Sequence, residues 1–535
     1  MNFLNKNFYS RQFLIVSLIA IISFCISVFK AAYNTDPHHF SFMFFDAYQM
    51  SKGAIPYRDI NILYGIITTL MHYLSILTLG NFVLSISVST AFFYASTFIF
   101  YYFILINIGS NKNNSLIIIL VIFFIHPAIL LPWSNYIAYF FVILSIFFFT
   151  LPSDANKNFF FFGLFLGLAT LSRQTFFFST IIFIFLILVI NFSKVKKIIL
   201  ISSYFFVFLL FFIYLQLNSL TGAWILSSIK AHSVAQYINF HPLINLNSNN
   251  FFNYFFLIEP LLRNLFSSIL KLDYKWFFYL FLLFGNIIYF INLLFKKKFY
   301  LNKKLFSISF FALLLFSESV HIPSIFKLST GAIIGIIPLS IYIFKIIDRL
   351  KKKISSKIKF LLILFFIFFF SLYLNKVFNL LMFITHYEKK ISEPEVSYLK
   401  FQRFPSDVSF FYDQFNLEMT KMRSLYPEIK YNYNFTSNCM LPIISQTRSF
   451  QFSCMHGHDG ILGIDLWKDI YVLKPELSLK SKLKENDNDI VVFQNINSKS
   501  EIFSENFFIF SQLHYPFHKD NKILLILISK NIKNK

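Results

Sequence analysis

The chain has 535 residues, of which 56% are hydrophobic and 21% aromatic while only 14% carry a charge, well below the roughly one quarter charged in a typical soluble domain. This excludes an ordinary water-soluble enzyme and points to a polytopic α-helical membrane protein. The formal charge of +23 argues for no nucleic acid, because the basic residues punctuate apolar runs instead of forming a patch with interleaved aromatics.

Lys6 and Arg11 precede an apolar run at 13–30 that lacks a small-residue cleavage site and reads as a retained first span. Further runs lie at 62–79, 82–106, 116–131, 134–151, 158–171, 176–192, 198–217, 276–295, 305–320, 329–346 and 359–381. Several fall short of the ~20 residues that cross a bilayer, so their ends are approximate. Lysine and arginine clusters at 194–197, 296–304 and 345–357 mark cytoplasmic loops.

Counting back from those loops, alternation holds as far as the pair 62–79 and 82–106. If both crossed, Lys6 and Arg11 would lie outside. The run 62–79 is the most polar, with Tyr64, Thr68, Thr69 and His72, so it is expected to lie at the outer interface or to re-enter without crossing. About eleven transmembrane helices follow, N-terminus in and C-terminus out, in a membrane domain over 1–385 with outer loops at 31–81 and 218–275. From 386 acidic residues return, and 386–535 is expected to be a soluble extracytoplasmic α/β domain. Its strands are predicted near 490–494 and 523–529, with a helix near 406–423. No internal repeat is evident, nor are broken helices at matching positions.

The first outer loop, "YNTDPHHFSFMFFDAYQMSKGAIPYRDINILYG", is dense in reactive groups: Asp36, His38, His39, Asp46, Lys52, Arg58 and Asp59, with Gly53 and Pro56 shaping a turn. A carboxylate beside two imidazoles serves either as a base toward a hydroxyl or as a ligand for a divalent cation. The structural alternative is that Asp36 caps a helix starting at Pro37. Arg173 interrupts "GLFLGLATLSRQTFFF", where it is suited to bind a lipid-linked phosphate bidentately or simply to snorkel toward headgroups. In the second outer turn, His126, Trp133, Ser134, Asn135 and Tyr136 suit a sugar or an aromatic belt. Glu318, His321 and Lys327 surround a third outward turn. Cys439 and Cys454 are able to pair as a disulfide if the tail is extracytoplasmic, with two unpaired thiols as the alternative. The "CMHGHDG" stretch reads as a polar loop more than as a zinc site, since no second ligand cluster follows.

The order of these parts resembles the GT-C superfamily of polyprenyl-phosphate-sugar-dependent membrane glycosyltransferases, especially bacterial members of the protein mannosyltransferase and aminoarabinose transferase group. Five features carry the resemblance: an Asp just after the first span, the "GAIPYRDI" turn, "LYGIITTLMHYLSILTLG", "GLFLGLATLSR", and a long outer loop after the seventh span. "TDPHH" stands where many members have two nearby acids, which leaves any divalent cation at Asp36 open. The resemblance implies transfer of a sugar from a polyprenyl-phosphate donor to a glycan, lipid or protein acceptor at the outer face of the bacterial cytoplasmic membrane. Asp36 would act as base and Arg173, with His39 or Lys327, would hold the donor phosphate. His38, Arg58, Asp59, Tyr64, Asn135 and His321 would contact substrate, and direct attack would invert the anomeric centre. The competing readings are a transporter or flippase of lipid-linked glycans, a glycan polymerase or ligase using a diphosphate-linked donor, and a non-enzymatic assembly scaffold.

Overall fold

A computed structural model describes residues 10–34, 37–60, 62, 65–125, 131–152, 155–190, 192–225, 274–295, 303–316, 325–350, 391–434, 436, 438–449, 489–495, 507–517 and 523–532. The apolar runs and part of the first loop form helices: α1 (Arg11–Ala32), α2 (Pro37–Ser51, in the loop), α3 (Ile66–Leu79), α4 (Val83–Asn107), α5 (Lys112–Ile125), α6 (Ser134–Thr150) and α7 (Asn156–Ser172). They continue as α8 (Phe176–Val189), α9 (Lys194–Leu217), α10 (Thr221–Ile225), α11 (Tyr274–Phe295), α12 (Lys303–Leu315) and α13 (Ile325–Leu350). Among the described residues, α1, α4 and α9 are long and apolar enough to cross a membrane, and several shorter helices are equally apolar. The expected run at 359–381 lies outside the described residues.

The bundle has a lysine-rich end. Lys304 Nζ donates to the Leu151 carbonyl at 2.8 Å, and Lys197 Nζ donates to the Leu188 carbonyl. Lys196 and Lys303 stand over the rings of Phe159 and Phe192 at 5.6 and 5.7 Å. The start of α1 lies near the far end of α4, with Ser10 Oγ 3.4 Å from Tyr102 Oη. From the lysine end α7 runs to Arg173, and α12 runs to Leu314, whose carbonyl accepts from Ser179 Oγ at 3.0 Å. The Arg173 end is therefore the opposite one.

Close helix approach depends on small residues. A Cβ on Gly163 would overlap Ser203 Oγ and the Leu200 carbonyl of α9, and one on Gly167 would come within 2.9 Å of the Tyr204 carbonyl. Glycines four apart let two backbones meet where lipid supplies no hydrophobic drive. Gly163→Val is expected to cost about 1–3 kcal/mol through overpacking, lowering the unfolding temperature in detergent. Gly222→Ala, with no atom within 4 Å of its Cβ, is expected to leave it unchanged.

The C-terminal part is the small α/β unit anticipated from its strand pattern. It comprises β1 (Ile391–Ser392), β2 (Phe404–Pro405), α14 (Ser406–Leu425), β3 (Tyr431–Asn434), α15 (Met440–Ser445), β4 (Arg448–Ser449), β5 (Ile490–Asn495), β6 (Phe507–His514) and β7 (Ile523–Ser529). The five-stranded sheet has the order β4-β3-β5-β7-β6. Strand β3 is parallel to β4 and β5, while β7 is antiparallel to β5 and β6. The central strand β5 is buried along almost its whole length, which explains its unbroken apolar start Ile490, Val491, Val492, Phe493. Helix α14 covers the sheet, with Phe415 edge-on to Phe493 at 5.2 Å.

This unit shares a core with the first loop and the helix ends around it. The Arg403 N–H donates to the Ala32 carbonyl at the end of α1 at 2.7 Å. Phe404 stacks on Phe40 with centroids 6.2 Å apart. The Cys439 N–H donates to Ser41 Oγ at 3.0 Å, a bond spanning 398 positions of chain. Phe401 meets Phe82 at 5.3 Å, just before α4 begins. Gly65, just before α3, abuts the carbonyls of Leu171 and Ser172 at the end of α7. Both approaches to α3 therefore touch structure at the Arg173 end.

Candidate functional site

Two neighbourhoods gather the groups singled out from the sequence. The first is built at the end of α7, where Arg173 is the residue after the last helical turn and its N–H donates to the Ala169 carbonyl at 3.1 Å. The side chain is only 6% exposed. Its Nη1 donates to Ser134 Oγ and its Nε to Thr175 Oγ1, both at 3.0 Å. A guanidinium buried in an apolar bundle is costly and must be surrounded by acceptors. Ser134 and Thr175 supply two such acceptors, both hydroxyls.

Beside Ser134, Asn135 is buried at 2% exposure, and its Nδ2 has no hydrogen-bond partner among the described residues. A buried amide donor left unpaired is a place where a ligand oxygen gains the most. The first loop closes on the same spot. Thr68 Oγ1 donates to the Ser172 carbonyl at 2.9 Å, and Gly65 has φ +111° with backbone packed where a Cβ would be. Only glycine fits that contact. Below Arg173, the hydroxyls of Thr170, Thr180 and Tyr204 meet at 3.0–3.3 Å and tie α7, α8 and α9 together.

The described part of the third outward turn also reaches this end. The α12 terminus is joined to α8 through Ser179, and Gly331 of α13 packs on the Ala312 and Leu315 backbone. Lys327 lies one turn before Gly331, so the backbone places it at the Arg173 end; its side chain is outside the described residues, as are those of His38 and His39 in the first turn of α2. Asp36, Tyr64, His321 and Cys454 also lie outside them, as do His126, Glu318 and the stretch at 454–459. Cys439 is disulfide-bonded and Cys25 is a free thiol.

The second neighbourhood is a groove of 710 Å³ between the first loop and the C-terminal unit. On the loop side stand Tyr48, Gln49, Lys52, Arg58 and Asp59. Asp59 organises this wall. Its Oδ2 accepts from the Ile55 N–H at 2.8 Å and from Arg58 Nη2 at 3.0 Å, and its Oδ1 accepts from Arg58 Nε at 3.2 Å. Partial burial works to raise its carboxyl, but the bonds from Arg58 and Ile55 prevail and hold it below the usual range. From the domain side, Arg448 Nη2 comes within 3.9 Å of Asp59 Oδ1, and the hydroxyls of Tyr398 and Tyr48 are 3.3 Å apart. Arg58 and Asp59, expected as substrate contacts, thus share one wall, while Asn135 and Arg173 belong to the other neighbourhood.

Two further residues stand behind the groove: Asp46, one of the reactive groups of the first loop, and Tyr57, which the sequence did not single out. Asp46 on α2 is 5% exposed and has no ion pair or hydrogen bond among the described residues. Burial alone raises its carboxyl well above the ordinary range. Tyr57 is 1% exposed, carries a φ of +67° and has its hydroxyl raised by burial, then by Tyr214 and Asp46. A non-glycine residue held at positive φ beside an unpaired buried acid is the kind of strain found at functional sites. The available signal was a carboxylate inside the largely apolar stretch 40–48, all of which is buried.

Asp46 has a clear pH signature. An unfolded Asp titrates near about 3.9, so above that pH and up to its raised folded value the native chain binds the extra proton, and stability falls as pH rises through that window. Asp46→Asn is expected to unfold at a higher temperature than wild type at pH 8, with the advantage shrinking toward pH 4. Thermal unfolding in detergent across pH reads this directly.

Together these features define a mostly helical chain with apolar helices fit for a membrane and an α/β unit seated on its first loop. No protein-family model matches the chain, and a search of the curated proteins also finds no match. Among the described residues no group of three or more His, Cys, Asp or Glu is placed to hold a metal ion.

Proposed function

We propose that the chain is a membrane glycosyltransferase that moves a sugar from a polyprenyl-phosphate-linked donor to a glycan, lipid or protein acceptor at the outer face of a cytoplasmic membrane. The observation that carries the reading is Arg173: a buried cation at the end of an apolar bundle, bonded to Ser134, whose chain neighbour Asn135 has a buried Nδ2 with no partner among the described residues. A lipid-linked phosphate reaching that end from the bilayer would meet both a positive charge and a hydrogen-bond donor. The same arrangement suits retention of a donor better than passage through the bundle.

In this reading Asp36, between α1 and α2, takes the proton from the acceptor hydroxyl. The acceptor oxygen bonds to the anomeric carbon while the bond from that carbon to the phosphate oxygen breaks, and the electron pair leaves with the phosphate. Arg173 faces the charge that builds on that oxygen, where fixed positive charge lowers the barrier. Lys327 and His39 supply further cations or donors, and attack opposite the leaving group inverts the centre. His38, Tyr64 and His321 complete the proposed substrate shell, with a divalent cation at Asp36 left open.

The orientation is part of the proposal. The lysine-rich end faces the cytoplasm, the Arg173 end faces outward, and α3 lies along the outer interface without crossing. The disulfide at Cys439 suits an oxidising compartment, and the C-terminal unit sits on the same side as the end of α1. With eleven spans, both facts agree. The test is a deletion strain whose surface glycan or lipid is analysed for sugar composition: loss of one sugar, restored by the wild-type gene, is expected. An unaltered composition in glycan, lipid and protein fractions would refute the proposal.

A further inference from the structure

We propose that the groove between the first loop and the C-terminal unit binds an anionic saccharide, as the charged part of the acceptor. The ligand's identity as an acceptor rests on the transferase reading above; the chemistry of recognition rests on the groove itself. Its volume of 710 Å³ lies in the range of about 300–1,000 Å³ typical of small-ligand sites.

Charge decides the class. Among the described residues, Lys52, Arg58 and Arg448 line the groove against a single carboxylate, Asp59. Arg58 satisfies that carboxylate with two hydrogen bonds. Arg448 stands at 3.9 Å from it, too far for a hydrogen bond, and its side chain is 68% exposed. The Arg448 guanidinium thus keeps donors for another oxyanion, and Lys52 Nζ stands over the Tyr48 ring at 5.5 Å. Planar guanidinium groups favour carboxylate, sulfate or phosphate in bidentate geometry.

The neutral lining decides that the anion is carried on a sugar. Gln49 and Gln446 each offer an amide that donates and accepts, as pairs of adjacent hydroxyls require. Tyr48 and Tyr398 present an edge-to-face pair at 5.4 Å, with polar tips and apolar ring surface. The walls are also set in shape before any ligand arrives. Gly53 has φ +88° and Gln446 φ +56°, while Asp59 pins the turn at 55–59 through the Ile55 N–H. A preset wall lowers the ordering cost of binding.

The test is calorimetric titration of the purified full-length protein with trigalacturonate, with maltotriose as the uncharged trisaccharide and with inorganic phosphate. Wild type is expected to bind trigalacturonate at least ten-fold more tightly than maltotriose or phosphate, and Arg448→Glu to lose at least ten-fold in that affinity. Lys52→Glu, on the opposite wall, is expected to weaken it similarly. Equal binding of the two trisaccharides, displacement by an equal concentration of phosphate, no binding, or wild-type affinity in both variants would each overturn the proposal. Donor consumption by wild type is read separately. Trigalacturonate binding without donor use would defeat the transferase reading alone, and donor use without discrimination between the trisaccharides would defeat the groove reading alone.

Discussion

Asp36→Asn is expected to lower sugar transfer by about 10²–10⁴-fold, the usual contribution of a positioned general base, while the protein still accumulates in the membrane. The exchange keeps volume and hydrogen-bonding capacity and removes basicity. It also separates the catalytic role from the capping role. Asn is as good an N-cap as Asp, so a residue that only starts α2 at Pro37 would tolerate the change with transfer near wild type. Asp36→Ala, by contrast, would impair both roles and would not distinguish them. Transfer is measured in proteoliposomes with labelled donor, normalised to folded protein.

Arg173→Ala is expected to lower kcat/KM for the lipid-linked donor by about 10²–10³-fold, the scale seen when one group that stabilises developing negative charge is removed. The bonds from Arg173 to Ser134 and Thr175 fix the guanidinium against α6 and the start of α8, so the variant also loses two neutral partners. Each of those hydrogen bonds is worth only about 1 kcal/mol, and removing a buried charge offsets part of that loss. Protein yield should therefore fall far less than turnover. Arg173→Lys keeps the charge and loses the fork, and is expected to recover part of the donor saturation that Ala abolishes. A side chain that merely reaches for headgroups would show normal donor saturation in both variants.

The parts legible in the sequence are those set by local pattern. The apolar run at 62–79 differed from its neighbours in Tyr64, Thr68, Thr69 and His72, and the structure shows why those groups are tolerated at two of the sites. Thr68 bonds the Ser172 carbonyl, and His72 lies within 3.1 Å of Thr90 Oγ1. The strands at 490–495 and 523–529 and the helix at 406–425 follow their hydrophobic periods closely. Arg173 and Asn135 were visible as polar residues in apolar surroundings.

What the sequence did not disclose depends on contacts between distant segments. Ser41 pairs with Cys439, Tyr48 with Tyr398 and Asp59 with Arg448, and nothing in either local stretch encodes the other. The groove is a product of that docking, so Arg448, Tyr398 and Gln446 carry no motif of their own. The burial of Asp46 was hidden for a related reason. In sequence it sits in a loop rich in exposed-looking charges, and only the packing of α2 against the rest of the first loop and the C-terminal unit buries it.

The central claim is that this chain uses a polyprenyl-phosphate sugar at the Arg173 end. The most direct measurement is release of polyprenyl phosphate from a panel of such donors by purified protein in proteoliposomes, with cell-surface glycan and lipid extract as acceptor. The account predicts release with at least one donor, matched by sugar in the acceptor fraction and reduced at least a hundred-fold in Arg173→Ala. Folded wild-type protein that releases no polyprenyl phosphate from any donor, or an Arg173→Ala variant as active as wild type, would contradict it.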